Sequence, residues 1–124
     1  MNLAWFGRWA PVVLWAALIF FLSSQSHLPE PPPGVTDKHA HLTAYAILAA
    51  TLTWALTNRD LRRTSWATVA AVVLLCTLYG VSDEFHQSFV PGRDVSGLDL
   101  TADAVGAAIG AVGLRAWAII RARR

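Results

Sequence analysis

The chain has 124 residues, 55% of them hydrophobic, and a formal net charge of +2. A soluble domain of this length alternates apolar and polar positions, whereas here apolar residues run around all sides of the predicted helices, so the composition predicts one integral membrane domain, residues 1–124, entirely α-helical. The ten basic residues, all Arg but Lys38, lie at the ends of apolar runs and form no continuous patch, which excludes a nucleic-acid footprint; a single Cys76 inside an apolar run excludes a disulfide framework.

Four apolar runs are predicted to cross a bilayer, at residues 9–24, 40–57, 65–83 and 99–120. The cores of the first three are shorter than the roughly 20 residues a span requires, and their flanks extend them into the headgroup region. Arg8, the Arg59, Arg62 and Arg63 link, and the Arg121, Arg123 and Arg124 tail alternate with two links holding only Lys38 and Arg93. By the positive-inside rule both termini and the middle link are cytoplasmic, an N-in/C-in, multi-pass arrangement.

In the first run, Arg8, an apolar core and Ser24-Gln25-Ser26 imitate the three regions of a signal peptide. Trp15, Phe20 and Phe21, with no Ala at the cleavage positions, predict a retained helix instead. Four prolines within residues 29–34 then make a stiff, extended spacer. Asp37 is expected to cap the second helix, with Asp37, His41 and Tyr45 on one stripe and His39 pointing elsewhere. Residues 57–60 read as a turn, and Trp66 as an interfacial anchor.

The third run leads into Asp83-Glu84-Phe85-His86-Gln87-Ser88-Phe89-Val90-Pro91-Gly92-Arg93. If the helix continues past Val81, Asp83, His86 and Gln87 share a face. Pro91-Gly92 ends it, and Arg93 follows the turn. Asp99 is expected to cap the fourth helix, with Asp103 one turn deeper. Ala102, Gly106 and Gly110 form a ladder of small residues that lets another helix approach closely; packing within the bundle is favoured over a homodimer through Gly106 and Gly110. Arg115 is expected to snorkel to the headgroups.

One end of the bundle thus collects Asp37, Lys38, His41, Tyr45, Asp83, Glu84, His86, Gln87, Arg93, Asp99 and Asp103. Such groups beside membrane spans persist where they face one another, a cavity or water. A structural reading has Arg93 bridging Asp99 or Asp103 through a bidentate pair, with Gln87 bonding across helices. A binding reading gives Lys38 and Arg93 to a phosphate or carboxylate, the carboxylates and Gln87 to hydroxyls or amides, and apolar grooves to the tail of an amphiphile. The alternative is a metal-assisted or acid–base hydrolase or transferase acting on an envelope lipid, for which His41, Glu84, His86 and Asp99 are suitable residue types. No HExxH or GxSxG spacing supports it, and Ser88 beside His86 and Asp83 only imitates a triad, so no catalytic residue, metal or cofactor is assigned.

At Asp37-Lys38-x-x-His41-x-x-x-Tyr45, at Asp83-Glu84-x-His86-Gln87-x-Phe89-x-Pro91-Gly92-Arg93, and at Asp99 and Gly106, the chain resembles the VanZ-like family of small bacterial membrane proteins. The likeness extends from Ser23-Ser24 through Gly110, and departs from the family where Asp103 replaces a frequent Asn. It implies a link to resistance against teicoplanin, which carries an acyl tail that vancomycin lacks. The expected partners are the bilayer and an envelope lipid or lipid-tailed glycoconjugate.

Overall fold

The computed structural model describes residues 2–124: four α-helices and a short 3₁₀ turn, with no strand among those residues. The helices are α1 (Leu3–Ser23), α2 (Asp37–Leu56), α3 (Trp66–Gln87) and α4 (Gly97–Ala122), with the 3₁₀ turn at Leu61–Arg63. They run alternately up and down. Arg8 Nη1 donates to Asn58 Oδ1 at 2.8 Å, and Arg115 donates to the Thr64 carbonyl, so one end joins the start of α1 to the α2–α3 link and the end of α4. At the other end Lys38 pairs with Asp99, and the Ser96 backbone N–H donates to Glu84 Oε2 at 3.0 Å.

Sequence chemistry accounts for the helix ends. Asn2 caps α1, accepting the Trp5 backbone N–H at 2.8 Å, and Ser65 caps α3 through the Thr68 N–H. Two expected caps are corrected. Thr36, not Asp37, precedes α2, and its backbone N–H donates to His39 Nδ1 at 2.9 Å, so His39 serves the helix start and leaves the cluster. Ser96, not Asp99, caps α4 through the Leu98 N–H. In each case a hydroxyl residue takes the capping position. The acid lies within the first turn, where the helix dipole favours it and its carboxylate is free to face other helices. The α2–α3 link turns through Asn58 and Arg59, both with positive φ, as the loop reading of that segment requires.

α2 packs most extensively against α4. Gly106 and Gly110 make this possible, because a Cβ on either would overlap the backbone carbonyl of Leu42 or Ala46. The ladder is therefore filled from within the chain. Tyr45, Leu48, Ala49, Val72, Cys76, Ala107 and Ala111 form the dry core between α2, α3 and α4, where Cys76 is a free, buried thiol. α1 lies on the outside and is held by two bonds to helix carbonyls. Trp15 Nε1 donates to Ala44 at 2.8 Å, and the Tyr79 hydroxyl donates to the Ala16 carbonyl at 2.6 Å.

Three helices, α1, α3 and α4, are long and apolar enough to cross a membrane; α2 falls short on apolar character. It contacts all three other helices, as α3 does, and makes the most extensive contact of all with α4. The outward faces of α1, α3 and α4 carry Val13, Leu14, Phe20, Phe21, Leu74, Leu78, Phe85, Val105 and Ile109, all exposed. An apolar surface this extensive belongs in lipid. At the end opposite the acidic cluster, Arg8, Arg59, Arg115 and Arg121 each stack over a Trp at 4.8–5.6 Å. Arg115 thus reaches Thr64 and Trp66 on the neighbouring link rather than extending alone to the headgroups.

Candidate functional site

The helix of the third run does continue, to Gln87, one turn and a half beyond Val81. That extension carries Asp83, Glu84 and Gln87 inward, and all three are buried. From α4, Asp99 and Asp103 face the same space at 2% and 0% exposure. From α2, His41 and Tyr45 complete it. Ten of the eleven expected site residues surround one space at this end of the bundle, at its centre or its rim.

His86 is the exception. It is turned toward α1, with Nε2 3.2 Å from the Ser24 hydroxyl and its ring 4.3 Å from that of Phe20. The expected bridge from Arg93 to Asp99 or Asp103 is not formed either. Among the described residues Arg93 makes no ion pair; its backbone N–H donates to Val90, and its side chain lines the cavity described below. Lys38 and His41 take those acids instead. Lys38 Nζ pairs with Asp99 Oδ1, and His41 Nδ1 lies 2.8 Å from Asp103 Oδ1. The cause is the glycine ladder, which brings α2 against α4 and puts α2's own cations within reach, while Arg93 enters only after a turn.

His41 is the hub. Its Nε2 lies 3.7 Å from Asp37 Oδ2 and 3.8 Å from Asp99 Oδ2, while Nδ1 faces Asp103. Glu84 holds the α3–α4 connection by accepting the Ser96 N–H through Oε2. Gln87 Nε2 donates to Asp83 Oδ2 at 3.4 Å, a bond within α3 rather than across helices. Four buried carboxylates from two helices face one ammonium and one imidazole, and Arg93 stands off at the rim. Two like charges 4 Å apart near a protein surface repel by about 4 kcal/mol, so this end of the molecule carries an excess of buried negative potential.

An open cavity of about 110 Å³ opens beside the cluster. One wall is apolar, from Ile19, Leu22, Leu28 and Ala44; the other presents Asp37, His41, Asp83, Gln87 and Arg93. Among the described residues, Tyr45 OH, Glu84 Oε1 and Asp103 Oδ2 are buried here without a hydrogen-bond partner, and Ser23 Oγ and Asp83 Oδ1 have only each other nearby, without good hydrogen-bond geometry. Buried polar atoms are satisfied in all but a few instances per hundred residues, by protein or by ordered water, so these atoms are open to water or a ligand entering the cavity. Ser23, Tyr45 and Asp83 line the cavity directly. Two sets of donors are also close enough together to hold a metal ion: Asp37, His41 and Asp99, and His41, Glu84 and Asp103.

Sequence reasoning did not assign Ser23, Ser96 or Gly80 to the site. Gly80 gives Asp103 its place: a Cβ there would stand 2.8 Å from Asp103 Oδ2. A glycine in an apolar helix, three and four residues before two acids, is the signal that marked it. Ser23 and Ser96 carried no such signal, because each acts through a helix from another part of the chain.

A protein-family model described as VanZ/LLP1 matches residues 28–120, from the proline-rich link through α2 and α3 to the last turn of α4. No curated protein and no solved structure matches the chain.

Proposed function

The chain belongs to the VanZ/LLP1 family, and from that membership and the geometry above we propose that it binds a bacterial envelope lipid or lipid-tailed glycoconjugate at the acidic end of its bundle. The observation that carries this reading is the two-sided cavity, with the Tyr45 hydroxyl unpartnered among the described residues, Ser23 and Asp83 beside it, and Arg93 at its edge. At about 110 Å³ and open to the outside, the cavity suits part of a head group. The tail would lie on the apolar flank continuous with Ile19, Leu22 and Leu28. Carboxylates suit sugar hydroxyls and amide N–H groups, and Arg93 suits a single carboxylate or phosphate oxygen pair.

In this proposal all four helices cross the plasma membrane, with both termini cytoplasmic and the cluster at the outer leaflet. α2 crosses as the inner helix, screened from lipid by its neighbours, which is why it tolerates Thr and His. The Arg–Trp pairs at the opposite end match a cytoplasmic interface. Discrimination of teicoplanin from vancomycin would follow from the acyl tail that only the first carries.

The test compares purified wild type with Arg93→Ala. Arg93 makes no ion pair among the described residues, so the variant should keep its melting temperature while losing most co-purified envelope lipid. In a sensitive Gram-positive host, wild type should protect against teicoplanin and not vancomycin, and Arg93→Ala should protect against neither. Equal lipid content in both purified proteins would remove the lipid reading.

A further inference from the structure

We propose that His41, Glu84 and Asp103 form a site for one divalent transition-metal cation behind the cavity that His41 lines. Each residue brings a donor atom within 4.8 Å of the other two, from three different helices. A second, independent observation concerns the oxygens. Glu84 Oε1 and Asp103 Oδ2 are buried without any partner, on side chains 7% and 0% exposed.

The spacing suits an ion. Two ligands bonded at about 2.1 Å and at right angles lie about 3.0 Å apart, and His41 Nδ1 and Asp103 Oδ1 are separated by 2.8 Å. With Nδ1 on the metal, the ring proton resides on Nε2, which already faces Asp37 Oδ2 and Asp99 Oδ2 at 3.7 and 3.8 Å. Both distances exceed a hydrogen bond, but a small rotation would bring either carboxylate to the Nε2 proton, the partner that a ligating imidazole ordinarily has. Glu84 would ligate through one oxygen while its other holds the Ser96 N–H.

Charge points the same way. Of the buried acids, Asp99 has Lys38, but Asp83, Glu84 and Asp103 have no ammonium or guanidinium partner among the described residues. A dication answers that excess where no further basic side chain reaches. One imidazole with carboxylates, and no thiolate within the cluster, favours Mn²⁺, Co²⁺, Fe²⁺ or Zn²⁺ over Ca²⁺. The neighbouring cavity has room for the few waters that would complete the coordination sphere. The proposal concerns the same end of the bundle as the lipid reading but does not rest on it.

The experiment uses the full chain, delipidated in detergent and stripped with chelator. Mn²⁺ uptake is read from loss of the free-ion electron paramagnetic resonance signal, and Zn²⁺ uptake by calorimetry. One equivalent per chain is expected, together with a rise in melting temperature. Glu84→Gln and Asp103→Asn should weaken uptake by roughly 100-fold or more, beyond the effect of losing an outer partner. Asp103→Asn keeps an acceptor for His41 and drops a buried charge, so its metal-free form should melt no lower than wild type and still gain nothing from metal. Asp37→Asn, which removes one of the two carboxylates near Nε2 but no ligand, should weaken uptake by no more than about tenfold. The proposal is overturned if folded wild type takes up neither ion at millimolar concentration, or if Glu84→Gln binds normally while Asp37→Asn does not. Lipid co-purification is measured separately, in EDTA, so the two readings fail independently.

Discussion

Asp99 shows how a residue's neighbours decide its cost. At 2% exposure its carboxylate is tolerable because Lys38 reaches it from α2, keeping its own side chain 41% exposed to solvent. Removing the ammonium leaves a buried anion; removing both groups leaves little to correct. Lys38→Met should therefore lower stability by about 1–3 kcal/mol, and Lys38→Met with Asp99→Asn should recover most of that loss, both read by denaturation in detergent. Residue identities at the site were legible in the chain, since charged side chains beside apolar runs stand out. Pairings were not. Arg93 is the stronger carboxylate partner by chemistry, yet the cation that meets Asp99 is Lys38, because helix packing sets the distance first.

At the scale of elements, the α2–α4 contact governs the site. Gly106 and Gly110 let the α2 backbone approach, and that approach carries Lys38 and His41 onto Asp99 and Asp103. Gly106→Val should disrupt the helix pair and cost about 3 kcal/mol or more, since the added atoms meet backbone that cannot rotate away. Gly113, on the same helix, has open space where a Cβ would stand, so Gly113→Ala should stabilise by about 0.5–1 kcal/mol. Melting temperatures of the two variants, measured side by side, check both signs. Helix spacing alone predicted this ladder and its use within the bundle. It bounded the third span at residue 83 and left continuation to Gln87 as a condition, and it did not predict His86 turning to Phe20 on α1 and to Ser24 just after it, since α1's placement depends on long-range bonds from Trp15 and Tyr79.

The whole molecule is polar at its two ends in opposite senses, with arginines over tryptophans at one and buried acids at the other. Under the proposed orientation the acidic end faces outward. In a Cys76→Ala background, an impermeant maleimide should label Asp94→Cys in intact cells, and Arg62→Cys only after permeabilisation. Labelling in the reverse pattern would invert the bundle and place the site on the cytoplasmic side.

By itself the sequence determined the helical class, the apolar runs, the turns at proline and glycine, and the set of polar residues gathered at one end. Those follow from local chemistry: hydropathy, backbone preference and helical period act within a few residues. Tertiary structure decided that Lys38 meets Asp99, that His41 stands among the carboxylates of α4, and that Gly80 makes room for Asp103. It also decided which polar atoms remain unpartnered, among them Glu84 Oε1 and Asp103 Oδ2. The Lys38–Asp99, His41–Asp103 and Gly80–Asp103 contacts join residues 61, 62 and 23 positions apart, and only the packing of one helix on another sets such distances.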